Sequence, residues 1–168
     1  MQPPLLPQET LTRVLRVARF DGGGALFLGG LFALLAASGG ERPYAVVGLL
    51  AAGAGAIELH GAGLLRAGEF RGMNWLIASQ ALLLGVVLTY CALRLWLLPL
   101  PDVPDDLRGV LAMNAQQWGL TVTEYQRVLN RITIGAVAIV ALGFQGGMLY
   151  YYLRRRAVIA PAFGESID

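Results

Sequence analysis

The sequence predicts an all-α integral membrane protein, a four-helix bundle with an N-terminal amphipathic helix and a helical extracytoplasmic segment between the third and fourth spans. Three observations predict it. Of the 168 residues, 56% are hydrophobic and only 14% are charged. A soluble domain normally carries about 25% charged residues, and so few charges cannot cover a water-facing surface. Four apolar stretches each approach the ~20 residues needed to cross about 30 Å of hydrocarbon. The arginines also gather on one side of a four-span path. The length suits a single transmembrane domain over 1–168.

Residues 1–7 are rich in proline and read as irregular. From Gln8 to Phe20, Leu11, Val14, Leu15 and Ala18 share one helical face, while Arg13, Arg16 and Arg19 gather on the other. This is the pattern of a basic helix lying in the membrane interface over 8–20. A plain helical extension of the first span reads equally well. The arginines, the apolar run after them and Ala36-Ala37-Ser38 also imitate a signal peptide with its cleavage site. The segment is read instead as a signal anchor and first span, 22–38, short and rich in glycine.

The second span is expected over 44–65, interrupted by Glu58 and His60. The third is expected over 74–98, stopped by Pro99 and Pro101. The segment 100–131 is the only sizeable stretch outside the spans. Pro104-Asp105-Asp106 starts a short helix there, which Gly119 ends. Thr121 and Glu124 form a capping box that starts the next helix near Val122. That helix is expected to run unbroken into the fourth span, 132–153, leaving a tail over 154–168.

Arginine placement orients the path. Arg13, Arg16, Arg19, Arg66, Arg71 and Arg154-Arg155-Arg156 fall on one side, and short Arg-rich loops stay cytoplasmic. Both termini are therefore expected in the cytoplasm and 100–131 outside, in a multi-pass protein of the cell (inner) membrane. Trp75 and Tyr150-Tyr151-Tyr152 sit at the inner boundary, where aromatic rings anchor at headgroup level.

Polar residues within a span are costly and are functional candidates for that reason. Glu58, Gln80 and Gln145 each lie eight or nine residues from a cytoplasmic arginine, roughly 12–14 Å along the axis. They form one polar layer in the inner half of the bundle. The sharp reading is an ion or proton site on Glu58, with His60 as proton partner. The plainer reading is hydrogen-bonded packing between helices, with Glu58 protonated, or capping or paired to Arg66 or Arg71. Glu58 and His60, two apart, face about 200° from each other on a straight helix; Gly61 and Gly63 would have to break it for them to act together.

Gly29, Gly30, Gly48, Gly53 and Gly55 are expected to let the first two helices approach closely, within the chain or between protomers. At the outer side, Arg94 with Asp102, Asp105 and Asp106 forms a candidate charge cluster, or Arg94 snorkels to the interface.

Several functions are disfavoured. One cysteine and one histidine cannot supply the four ligands of a structural zinc site, so no metal or cofactor is expected. No soluble basic surface remains for nucleic acid. Catalytic motifs such as His-Glu-x-x-His and Gly-x-Ser-x-Gly are missing, so an enzyme would need a site built between chains. The tiny multidrug exporters carry an acid within the first span, and none lies in 22–38. The polar motifs of membrane glutathione enzymes are not matched either. The leading expectation is a homo-oligomeric pore or transport protein in the lipid bilayer. The alternative is an interaction subunit that docks a protein partner through the outer 100–131 segment, using Trp118 and the acidic group.

Overall fold

The computed structural model describes residues 7–100 and 102–164. Its helices are α1 (Pro7–Ser38), α2 (Arg42–Arg66), α3 (Gly72–Trp96), α4 (Asp105–Gln117) and α5 (Val122–Ile159), with a 3₁₀ turn at Ala160–Phe163. No strand occurs among the described residues. Four of the helices, α1, α2, α3 and α5, are long and apolar enough to cross a membrane. The chain divides into two compact units, Met1–Val87 with Leu142–Asp168 and Leu88–Ala141.

In the first unit, the segments 8–20 and 22–38 are one unbroken helix, so a separate interfacial helix is not formed. The apolar face of Leu11, Val14, Leu15 and Ala18 packs on Leu65, Met73, Leu76, Tyr152 and Ile159. Protein covers this face, which removes the reason for it to lie flat on lipid. A second correction concerns the tail. Helix α5 continues to Ile159, and Ile159 and Ala160 are fully buried in the same core. Within 154–168, then, residues 154–163 are structured; 165–168 fall outside the described residues.

Helices α1 and α2 are joined by a turn in which Gly40 takes a φ of 76°, a conformation that favours glycine. The Glu41 amide closes on the Ala36 carbonyl at 2.8 Å, satisfying one of the free carbonyls at the helix end. The chain then returns along α1 through a seam of small residues. A Cβ on Gly29 would lie 2.6 Å from the Ala52 nitrogen, one on Gly48 2.7 Å from that of Ala33, and one on Gly55 2.5 Å from that of Leu26. Gly22 meets the Glu58 Cβ in the same way, at 3.1 Å. The seam residues recur every seven positions on each helix, the period that keeps two helices in continuous contact. Gly30 and Gly53 do not belong to it, because a Cβ on either meets nothing within 4 Å. Gly30 is one residue, about 100° of helix, away from Gly29.

In the second unit, α4 ends at Gly119, whose φ is 65°. Helix α5 then starts on the Thr121–Glu124 capping box. The Thr121 amide donates to Glu124 Oε2 at 2.9 Å, and the Glu124 amide donates to Thr121 Oγ1 at 3.3 Å. The helix spans 38 residues, roughly 57 Å.

Candidate functional site

The site lies within the first unit and draws one side chain from each of its four long helices. Glu58 on α2 and Gln80 on α3 are buried, at 1% and 0% exposure. The Gln80 side-chain amide donates one N–H to Glu58 Oε2 at 2.8 Å and the other to Asp21 Oδ2, on α1, at 2.7 Å. Tyr152, on α5 and fully buried, donates its hydroxyl to Glu58 Oε1 at 2.6 Å. Both carboxyls accept from one nitrogen, so their oxygens are no farther apart than the two hydrogen bonds laid end to end.

Local sequence explains the convergence. Glu58 lies three residues beyond Gly55 on α2, and Asp21 directly precedes Gly22 on α1; the glycine seam brings these stretches together. At the base of α2 and α3, Gly61 and Gly72 allow a second close approach, since a Cβ on Gly61 would sit 2.9 Å from the Gly72 carbonyl oxygen. Gln80 lies about two turns of α3 above that contact.

Of the polar layer expected at Glu58, Gln80 and Gln145, only Glu58 and Gln80 are hydrogen-bonded to each other. Gln145 borders a neighbouring groove with Asp21, and its Oε1 is buried without a partner among the described residues, as is Gln80 Oε1. His60 is not part of the site. Helix α2 continues unbroken through Gly61 and Gly63, so His60 points outward and meets the Trp75 ring edge-on, centroids 5.5 Å apart. Arg71 pairs with Glu69, while Glu58 is held by Gln80 and Tyr152. In the second unit, Arg94 donates to the Pro99 carbonyl and Asp105 pairs with Arg108 at 3.2 Å. Asp102 and Asp106 are exposed.

Two members of the site lay outside the expected set. The first span was expected to hold no acid; Asp21 lies inside α1 because the helix does not begin at Gly22. Tyr152 was expected to anchor at the membrane boundary and instead faces the core. Neither stands out by composition, and what signal there is lies in periodicity. Ala18, Gly22, Leu26 and Gly29 continue one stripe across Asp21. Tyr152 lies seven residues from Gln145 on a stripe that also holds Met148 and Ile159.

The groove beside the site has a volume of about 820 Å³ and is walled by Phe20, Ala25, Leu28, Phe144 and Met148, with Asp21 on its border. Phe20, Leu28 and Phe144 are 86%, 64% and 55% exposed, so the groove opens sideways.

Chemically, the cluster is a buried carboxyl, Glu58, beside a half-buried one, Asp21, with three donated hydrogens between them. Each hydrogen bond to a charged group contributes about 1.5–3 kcal/mol, whereas burying a carboxylate costs several kcal/mol per ion. Two neighbouring charges of one sign add to that cost. Among the described residues, no group of three or more metal-ligating side chains is present. No protein-family model, curated protein or solved structure matches the chain, so the functional reading rests on this geometry.

Proposed function

We propose that the chain is a multi-pass protein of the cell membrane, with both termini cytoplasmic, that couples transport to protonation of the Asp21–Glu58 pair. The observation that carries this reading is the single amide of Gln80 shared by two carboxyls. A neutral acceptor would satisfy either N–H of that amide for packing; two carboxyls instead set two acids side by side, where ionising both is disfavoured. A proton entering the pair removes one charge, and its departure restores it. The bonds from Gln80 and Tyr152 then have two states to hold, as an alternating-access cycle requires.

Membrane insertion is supported by the four long apolar helices and by outward-facing Phe27, Leu34, Leu35, Leu49, Ile139 and Val140. The cytoplasmic orientation is supported by the arginines around the buried core of the first unit. One chain supplies every member of the site, so association of protomers, which the glycine-rich faces first suggested, is not needed to form it.

The test is proton flux in liposomes of the purified chain carrying an entrapped pH dye, under an imposed pH gradient. The wild type is expected to dissipate the gradient, and Glu58→Gln and Asp21→Asn each to slow dissipation about a hundredfold, the lower end of what a positioned proton-transfer group contributes. No flux above empty liposomes, or equal flux in both variants, overturns the reading.

A second reading has its own observation. In the outer unit, Leu107, Val110, Met113 and Trp118 are 48–73% exposed, which fits docking of a protein partner on α4. A stoichiometric partner that co-purifies after gentle solubilisation and is lost in Trp118→Ser favours it.

A further inference from the structure

The groove beside Asp21 does not end on apolar side chains. At its arginine end it adjoins a second cavity, of about 580 Å³, bordered by Thr12, Leu15, Arg16, Arg19, Phe20 and Arg66. Arg16 and Phe20 border both cavities. Arg16, Phe20, Gly24 and Leu28 follow one another every four residues, and so line a single row along α1. The row passes from a guanidinium through an aromatic ring to open apolar wall. Gly24 leaves the wall hollow, since a Cβ there would meet nothing within 4 Å. No acid pairs with Arg16, Arg19 or Arg66 among the described residues. Asp21 borders the groove, but its carboxyl is engaged by the Gln80 amide.

We infer that these adjoining cavities bind a phospholipid with an anionic headgroup, its phosphate at Arg16, Arg19 and Arg66 and one acyl chain in the groove between α1 and α5. Charge complementarity selects the occupant. Three arginines converge where the apolar wall begins, and guanidinium groups bind phosphate oxygens through paired N–H donors. Basic cavities at the cytoplasmic ends of membrane helices suit anionic headgroups in the same way. Dimensions agree. From Arg16 to Leu28 the row runs roughly 18 Å, close to one leaflet of an about 30 Å hydrocarbon core. A second copy docked by this same face would set the same three arginines against these. The inference shares the membrane assignment but does not rest on the proton step, so flux and lipid binding can fail separately.

The experiment uses the full chain purified in detergent. Native mass spectrometry follows retention of phosphatidylglycerol and phosphatidylcholine from an equimolar mixture, with glycerol 1-phosphate as the soluble headgroup. Preferential retention of phosphatidylglycerol is expected, with no retention of glycerol 1-phosphate. The triple variant R16Q/R19Q/R66Q is expected to weaken phosphatidylglycerol roughly a hundredfold, about fivefold for each cationic contact. Gly24→Trp, whose Cβ would stand in open space on the groove wall, is expected to lose the lipid while its helical ellipticity and elution stay those of wild type. Equal retention of the two lipids overturns the inference. So does binding of glycerol 1-phosphate as tight as that of the lipid, which would mark a bare phosphate site. A lipid-free dimer that Gly24→Trp dissociates would assign the groove to a second copy and overturn it as well. If the triple variant does not fold, the headgroup preference of wild type and the Gly24→Trp result still decide.

Discussion

The unit formed by Met1–Val87 with Leu142–Asp168 and the unit Leu88–Ala141 share α3 and α5, yet they bury side chains to different degrees. In the first, glycines bring backbones into contact, and a core of Val14, Leu65, Met73, Leu76, Tyr152 and Ile159 is closed to solvent. It also buries polar groups and supplies their partners from its own helices. In the second, Cys91, Arg94, Ala115, Ile134 and Ala141 are buried, while Trp96, Met113, Trp118, Ile132, Ile139 and Val140 face outward. The first unit is specified by the chain's own packing. The second holds fewer buried side chains, and both present apolar surface that lipid or another protein would cover. Sensitivity to mutation should follow this division.

The largest effect is expected in the seam. Gly55→Leu forces a side chain into the backbone of α1, and at about 3 kcal/mol or more, the upper end of overpacking costs, it should abolish monodisperse elution and lower the thermal midpoint. Gly53→Leu, two residues away and facing open space, should elute and melt like wild type. Equal behaviour of the two would break the seam assignment. Next comes Tyr152→Phe, which removes a donor from a buried carboxyl and should destabilise by about 1–3 kcal/mol, read by denaturation in mixed micelles. Tyr150→Phe, on an exposed ring, should stay within about 0.5 kcal/mol. In the second unit, Met113→Ser should also fall within about 0.5 kcal/mol for the isolated chain; a larger loss would mean that this surface is already covered by protein.

The smallest effect concerns pH. Hydrogen bonds from the Thr121 hydroxyl and amide hold the Glu124 carboxyl below its ordinary range. A carboxyl depressed by folding stabilises above its unfolded pKa, and that contribution is lost as pH falls through the lower folded value. The protection of amides in the first turn of α5, taken relative to their intrinsic exchange rates, should therefore fall on acidification below the usual carboxylate range, and Thr121→Ala should remove the dependence. A pH-independent turn would show that the box adds nothing.

Much of the fold was legible because its signals are local. Pro43, Pro99, Gly40 and Gly119 punctuate apolar runs, and Thr121-x-x-Glu124 names its own helix start. Glu58 and Gln80 stood out as polar residues in apolar surroundings. Asp21 and Tyr152 did not, for related physical reasons. Asp21 sits where basic and apolar segments join, so charge density alone placed it outside the span. Tyr152 belongs to a run of three tyrosines, and composition cannot say which of three rings turns inward. Only the seven-residue stripe along α5 separates Tyr152 from Tyr150. Hydrogen bonds between residues 59 and 94 positions apart are set by helix packing, and single-helix periodicity does not report them.

The glycine seam also bears on the order in which the protein is made. Chains generally acquire structure from the N-terminal side during synthesis, and α1 and α2 are complete by Arg66, before Gln80 has been translated. A hairpin that closes at that stage brings Asp21 and Glu58 together with neither the amide nor the tyrosine hydroxyl available. Arrival of α3 brings the amide, and α5 brings the hydroxyl last. Each later helix would thus be recruited by the unmet polar groups of the ones before it, so the same two acids proposed to carry protons in the finished protein would also guide its assembly.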